Sequence, residues 1–322
     1  MPATTEQPRL GFVGVGAMGA PMAANLLKRF ARLTVYDVVP DRVQTLVKQG
    51  AHGAASGADV ARNADLVVTM VPKTEHLEAA VFGAGGLAEG LGAGQVLIDC
   101  STVSPTRTRE IAERLGRQGV AMIDAPVVTS QRPDRHPMPG LDTGTMNIGV
   151  ASATYANLCF LVGGEAAVVE RCRPVLEAMG IEIRHVGGHG CGQVCKVINN
   201  TIVGSTVVLV AELLVLGVKA GIDPVVLVDC LANGSATSQV MKAHVQKFML
   251  PHTFPRGLFS VDYMNKDVTL AVDLARDLHA PALIPSLVKQ IFEAADAAGW
   301  RDDYNPIVIK VFERLANVQW PA

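Results

Sequence analysis

Lys196 and Asn200 stand four residues apart in an almost wholly apolar stretch, Val194 to Lys219. On a helix that spacing puts both side chains on one face, about 6 Å apart along the axis. Asn199 points roughly a quarter-turn away. Polar groups at the start of an apolar helix need partners. A lysine there can pass a proton to or from an alcohol or carbonyl once burial or a nearby charge tunes it. The same spacing also fits a lysine that stretches to water beside a helix-end asparagine. Asp267, in Asn265-Lys266-Asp267-Val268, is equally open. It either caps a helix from the first turn or orients a substrate or neighbouring amides. Thr129 and Ser130 follow Asp124-Ala125-Pro126-Val127-Val128, and Ser101 and Thr102 follow Asp99-Cys100. Each pair leaves a predicted strand at the edge where ligands gather. Each could also be an ordinary turn hydroxyl.

A second set suits an anion. Gly14, Gly16 and Gly19 spell GxGxxG, with Ala17 and Met18 inside the turn, between a predicted strand and a predicted helix. The first glycine permits the tight turn, the second lets the backbone approach a pyrophosphate, and the third lets helix and strand pack closely. The helix amino end then offers free N–H groups. Asp37 lies 18 residues beyond Gly19, at the end of the next strand. Its carboxylate can accept from both adenosine ribose hydroxyls and would repel a 2′-phosphate, which favours NAD over NADP. Arg42, five residues on, would partly offset that repulsion.

The elements that must hold these groups alternate in the first part of the chain. Strands are expected at Leu10–Val15, Leu33–Tyr36, Leu66–Val71, Val96–Asp99 and Ala121–Asp124, with helices at Pro21–Phe30, Pro40–Gln49 and Arg107–Gln118. That alternation predicts a parallel sheet with helices on both faces. Residues 129–142, with three prolines, suggest irregular structure. Thr145–Val150 and Cys159–Val162 are strand-like, a helix is expected up to Met179, and His185–Gly192 suggests a glycine-rich hinge. Beyond it the apolar segments are all helix-like: Val194–Lys219, Pro224–Ala232, Asn265–Leu278, Ala282–Ala298 and Asn305–Leu315. The expected organisation is an α/β Rossmann-type domain over residues 1–188, then an all-α domain over 189–322 that opens with a long interdomain helix.

Composition sets limits. Of 322 residues, 49% are hydrophobic and 18% charged, which excludes a mainly disordered chain. A net charge of −2 argues against a broad nucleic-acid surface. Six sparse cysteines form no disulfide framework and suggest a reduced, cytoplasmic protein. Met1–Arg9 lacks the pattern of a signal peptide. Residues 197–218 are long and apolar enough to span a membrane, but Asn199, Asn200 and Glu212 interrupt them, so a buried helix between domains is expected. Cys191 and Cys195, with His185 and His189 upstream, lack the spacing of a zinc pair, and no metal is expected.

Several segments together resemble the β-hydroxyacid dehydrogenase family, typified by 3-hydroxyisobutyrate dehydrogenase, over about residues 9–315. Gly11–Gly19 with Pro21-Met22-Ala23 resembles the family's opening signature, and Met70-Val71-Pro72 its cofactor loop. Asp99–Pro105 is similar to the segment beside the nicotinamide, and Asp124–Val127 to the start of the substrate loop. Gly187–Asn200 resembles the hinge and catalytic helix, and Lys266-Asp267 the later Lys-Asp motif. The resemblance implies Lys196 as the proton-transfer residue, Asn200 against the substrate, and Asp267 bordering the pocket. It also implies Lys266 on the cofactor, Thr102 near the nicotinamide ribose, and a homodimer or homotetramer joined through the helical domains. The expected activity is reversible, NAD-dependent oxidation of a small 3-hydroxy acid. Alternatives are an imine reductase of the same fold, against which Lys196 weighs, a 6-phosphogluconate-like dehydrogenase, for which the chain is short, and an inactive dinucleotide-binding scaffold.

The chain departs from the family at the substrate loop. Val128-Thr129-Ser130 stands where the family usually has Ser-Gly-Gly, whose hydroxyl and amides hold a carboxylate. Thr129 or Ser130 would have to replace that serine. The loop is also longer and brings Arg132, Arg135 and His136. These could receive a larger or more highly charged acid, or lie in a solvated surface loop.

Overall fold

The computed structural model of the chain describes residues 7–129 and 148–320. They fall into two units, residues 7–129 with 148–196, and residues 197–320. The division comes inside a continuous helix, between Lys196 and Val197, just beyond the boundary expected near residue 188.

In the first unit, strands and helices alternate: β1 (Leu10–Val13), α1 (Gly19–Leu27), β2 (Leu33–Tyr36), α2 (Pro40–Val47), β3 (His52–Gly53), α3 (Gly57–Arg62), β4 (Leu66–Thr69) and α4 (Thr74–Phe82). Then come β5 (Val96–Asp99), α5 (Pro105–Gly116), β6 (Ala121–Asp124), β7 (Val127–Thr129), α6 (Ile148–Thr154), β8 (Leu158–Gly163), α7 (Ala166–Met179) and β9 (Gly180–Gly187). Side chains alternate across a strand, and the sheet divides its core accordingly. Leu10, Phe12, Leu66, Val68, Val96, Ile98 and Ile123 join one apolar cluster. Val13, Val67, Leu97 and Met122 join another. With both faces covered, strands such as Leu66–Thr69 read as unbroken apolar runs.

The strands lie in the order β3-β2-β1-β4-β5-β6-β8-β7, with β9 beside β8. From β3 to β6 all neighbours are parallel, in the Rossmann order 3-2-1-4-5-6. Register aligns the last residues of five strands on one edge: Tyr36, Val13, Thr69, Asp99 and Asp124. Strand β8 then runs antiparallel to β6, and β7 antiparallel to β8.

Three expectations change here. Residues 148–150, expected as part of a strand, open helix α6; residues 145–147 lie outside the described residues. A short apolar run fits either period, and packing decides: Asn25 Nδ2 donates to the carbonyl of Ala153 in α6 at 2.7 Å. Thr129, expected in irregular structure, ends strand β7 opposite Leu158. The hinge expected from His185 begins inside β9, which pairs in parallel with β8. Most of its side chains are half-buried or exposed, so no apolar run marked it.

The second unit continues helix α8 (Cys191–Lys219) and adds α9 (Pro224–Asn233), a π-helix (Met241–Met249), α10 (Val261–Asp277), α11 (Leu283–Ala297), a 3-10 turn (Asn305–Val308) and α12 (Ile309–Ala316). Its only extended pairing among the described residues is the bridge Ser260–Tyr304. The π-helix was not legible as an element. Helix α10 starts four residues earlier than expected, where Ser260 Oγ accepts from the Tyr263 amide. Asp267 therefore lies within the helix, and the capping role is excluded. Helix α8 also differs from expectation, being buried on one face only. Val207, Ala211, Leu214 and Val215 pack with Val268, Phe292 and Ile309. Ile198, Ile202, Leu209, Leu213 and Leu216 are exposed. By length and composition alone α8 could cross a membrane.

Candidate active site

The glycine turn after β1 separates what the chain needs from what it leaves open. Gly14 has φ of +90°, and a Cβ there would sit 2.3 Å from the carbonyl oxygen of Met70. A Cβ on Gly19 would sit 1.9 Å from the carbonyl oxygen of Gly14. Both glycines are demanded by the chain's own packing. Around Gly16 the nearest atom to such a Cβ is Arg42 Nη1, at 3.7 Å. Its face is open for an anion to meet the backbone beside the amino end of α1, while Ala17 is exposed and Met18 half-buried at the cap.

Asp37 closes the turn from the end of β2. Its Oδ2 accepts from the Val15 amide at 2.9 Å and its Oδ1 from the Val39 amide at 2.8 Å. Arg42 Nη1 lies 3.5 Å from Oδ1, on a side chain that is half exposed. Each carboxylate oxygen keeps acceptor capacity beyond one amide. A buried carboxylate beside an open glycine backbone fits an adenosine ribose and a pyrophosphate.

At the ends of β4, β5 and β6 the sequence turns into a hydrogen-bonded floor. The Val71 amide donates to Ser101 Oγ at 2.9 Å, which joins the Met70-Val71-Pro72 segment to the loop after β5. Asp99 Oδ1 accepts from Thr69 Oγ1 at 2.8 Å and from the Ser101 amide at 3.1 Å. Asp124 Oδ1 accepts from the Gly190 amide at 2.7 Å and its Oδ2 from the Gln193 amide at 2.9 Å, so a strand-end carboxylate holds the amino end of α8. The Gln193 side chain is fully buried. It donates to the Ser101 carbonyl at 2.8 Å and to Asp99 Oδ2 at 3.3 Å, and accepts from the Val103 amide at 3.1 Å. Burial pushes the Asp99 carboxyl up to about 6, against the pull of its bonds from Ser101 and Thr69. Burial also raises Asp124, opposed by the Gly190 and Gln193 amides.

Lys196, half-buried, follows Gln193 by one helical turn. Thr102, also half-buried, lies between the two residues that the Gln193 amide grips. The first unit therefore gathers Gly14, Gly16, Gly19, Asp37, Met70, Val71, Thr102 and Lys196 along the carboxyl edge of its parallel strands. Thr129 stands at the end of β7; Ser130, Arg132, Arg135 and His136 lie outside the described residues. The two upstream histidines face backbone carbonyls: His185 Nε2 lies 2.8 Å from Gly164 O, and His189 Nε2 2.9 Å from Met122 O.

The second unit brings three expected residues together. Asn200 Nδ2 donates to Asp267 Oδ2 at 2.5 Å, and both side chains are buried. Asn199 Nδ2 donates to Asn200 Oδ1 at 3.0 Å. Lys266 Nζ lies 2.9 Å from Asp267 Oδ1, an ion pair without hydrogen-bond alignment. Asp267 thus orients the Asn200 amide from a neighbouring helix. The unit also has an open cavity of about 360 Å³ by α9 and the π-helix, lined by Asn233, Gln239, Lys242, Gln246 and Lys247; no expected site residue lines it.

Sequence reasoning overlooked Asp99, Asp124 and Gln193 as builders of the site. Two aspartates closing neighbouring strands, and a glutamine one turn before the lysine, were the available signals.

Residues 9–138 match the family model described as the NAD binding domain of 6-phosphogluconate dehydrogenase. Residues 190–312 match the model described as the NAD-binding of NADP-dependent 3-hydroxyisobutyrate dehydrogenase. The chain is 34% identical to 2-(hydroxymethyl)glutarate dehydrogenase of Eubacterium barkeri, over 96% of each chain. It is 37% identical to 3-hydroxyisobutyrate dehydrogenase of Pseudomonas aeruginosa, over 88% of this chain and 90% of that one. Among solved structures, 3-hydroxyisobutyrate dehydrogenase of Mycobacterium tuberculosis with L-serine matches with a TM-score of 0.80 and 30% identity, over 95% of this chain and 99% of that one.

Proposed function

The chain belongs to the β-hydroxyacid dehydrogenase family and is an NAD-dependent oxidoreductase, and from that premise we propose that it reversibly oxidises the hydroxyl of a small 3-hydroxy acid with Lys196 as the proton-transfer residue. The observation that carries this reading is the pinning of α8 to the ends of β5 and β6 through Asp124 and Gln193. It puts a lysine one turn beyond the strand edge along which the glycine turn also lies.

Gly14, Gly16, Ala17, Met18 and Gly19 would hold the pyrophosphate of NAD, and Asp37 the adenosine ribose. Met70, Val71, Pro72, Thr102 and Lys266 would contact the rest. When bound, NAD supplies the hydride acceptor, and aligning the reacting centres is the protein's larger contribution. Lys196 takes the alcohol proton during oxidation and returns it to the carbonyl during reduction. Asn200, its amide fixed by Asp267, hydrogen-bonds the substrate. Thr129 and Ser130 receive the carboxylate. Asp37 disfavours a 2′-phosphate, so NAD is preferred over NADP.

The altered loop supports a substrate larger or more highly charged than 3-hydroxyisobutyrate, since Val128 offers no hydroxyl where the family serine falls. The Eubacterium barkeri relative is named for such a dicarboxylate. Association as a homodimer or homotetramer is supported by the exposed apolar residues of α8, spaced by four, seven, four and three like a helix-pairing seam.

The test is nicotinamide reduction with NAD⁺ or NADP⁺ and a panel of 3-hydroxyisobutyrate, L-serine, glycerate, 2-(hydroxymethyl)glutarate and a hydroxypropanesulfonate. Turnover with NAD⁺ is expected, falling by about 10²–10⁴-fold in Lys196→Ala with cofactor binding retained. Turnover unchanged in Lys196→Ala would remove the lysine from the mechanism. A profile led by 3-hydroxyisobutyrate would overturn the substrate class.

A further inference from the structure

Gln193 touches none of the groups assigned above to substrate or cofactor, yet its side chain makes three hydrogen bonds. It is completely buried. All three of its side-chain bonds go to the end of β5 and the loop that follows: Ser101 O at 2.8 Å, Asp99 Oδ2 at 3.3 Å and the Val103 amide at 3.1 Å. The two backbone partners flank Thr102. Its own amide is held by Asp124 Oδ2 at 2.9 Å. On a helix, residues 193, 196 and 200 share one stripe. One side chain therefore joins the loop on either side of Thr102 to the turn of helix that carries Lys196.

We propose that Gln193 is a positioning residue that sets the separation between the Thr102 loop and Lys196, and so aligns hydride and proton transfer. The proposal rests on the assignment of Lys196 under the proposed function. Its physical basis is directionality. An apolar contact at this position would hold the helix near the strand ends but leave it free to slide, whereas an amide with one donor pair and one acceptor fixes both register and rotation. A leucine or methionine would fill the space and leave the Ser101 carbonyl and the Val103 amide without their partner. Asp99 would also lose a donor.

The experiment is a double-mutant cycle between Gln193→Met and Lys196→Ala, read in kcat and in KM for NAD⁺ and substrate. Misplacement of a reacting group by about 1 Å costs on the order of 10²-fold. Gln193→Met alone is therefore expected to lower kcat by about 10–100-fold, with KM for NAD⁺ moving less than about 3-fold. In the Lys196→Ala background the same change should cost less than about 2-fold, because the group it aligned is gone. A second readout needs no turnover. Amide hydrogen exchange in the unliganded protein should accelerate at Val103 and remain slow in β4 and β5. If Gln193→Met does not fold, Gln193→Glu serves instead. It keeps an acceptor for the Val103 amide, loses the donor to Ser101, and should show the same kcat loss. Equal losses in both backgrounds would mean a structural role and overturn the proposal, as would an unchanged kcat in Gln193→Met with Lys196→Ala inactive. An unchanged rate in Lys196→Ala would instead overturn the lysine's assignment, and this proposal with it.

Discussion

The two ends of helix α8 are held by different forces. Its first turns are held by directional bonds: Asp124 to the Gly190 and Gln193 amides, and the Gln193 side chain to the loop after β5. Its remaining turns are held by area, with Val207, Ala211, Leu214 and Val215 packed into an apolar cluster. Burial of area gives strength without direction, and hydrogen bonds give direction with modest net strength. The polar end should therefore govern the rate and the apolar end the stability.

The largest effect on that contrast comes from the apolar end. Leu214 is fully buried. Leu214→Ala should destabilise the fold by about 2–5 kcal/mol through lost transfer energy and a residual cavity. At temperatures where the variant is folded, kcat should stay within about 2-fold of the parent, because the reacting end is fixed separately. Denaturant unfolding and steady-state kinetics on the same preparation decide it. A kcat loss as large as that of Gln193→Met would erase the distinction between the two ends.

A second contrast concerns titration, and its sign differs between units. Asp99 is raised by burial from 3.8 to about 6. Between those values the folded chain holds a proton that the unfolded chain has released. Stability from this group is complete below about pH 4 and is lost as pH rises through about 6, by about 3 kcal/mol. His244, on the π-helix, is lowered by burial from 6.5 to about 4, and its Nδ1 has no hydrogen-bond partner. Its ring stacks on Tyr304 at 5.6 Å. Here the unfolded chain holds the extra proton, so stability rises from about pH 4 to pH 6.5 by a similar amount. The two slopes oppose each other in the parent protein. Asp99→Asn should expose the rising slope, and His244→Phe the falling one, in unfolding midpoints taken across pH 4 to 7. Parallel curves for the parent and Asp99→Asn would mean that Asp99 titrates normally.

These contrasts also explain what the sequence disclosed. Strands buried on both faces leave unbroken apolar runs, so β1, β4, β5 and β6 were legible, as was the glycine turn, whose residue types and spacing lie within six positions of the chain. β9 was not, because half-exposed strands lack such a run. The start of α10 was missed because Ser260 caps it five residues upstream of the first expected residue. Lys196, Asn200 and Asp267 could be named from type and spacing. The bond from Asn200 to Asp267 spans 67 residues, and the grip of Gln193 on Ser101 spans 92. Pairings at that separation are set by topology, which one-dimensional patterns do not carry.

The smallest effect on folding belongs to the exposed face of α8. Ile202 is 61% exposed and Leu213 51%. Replacing either by glutamine removes apolar surface already in contact with water, so the stability of an isolated protomer should change by less than about 0.5 kcal/mol. The same surface, repeated from Ile198 to Leu216, is what the proposed homo-oligomer would bury. Ile202→Gln combined with Leu213→Gln should therefore shift the molar mass in solution toward the monomer, while unfolding of the dissociated chain stays near the parent. Light scattering across a dilution series separates the two effects. An oligomer of unchanged mass and affinity would mean that this face of α8 is not the seam.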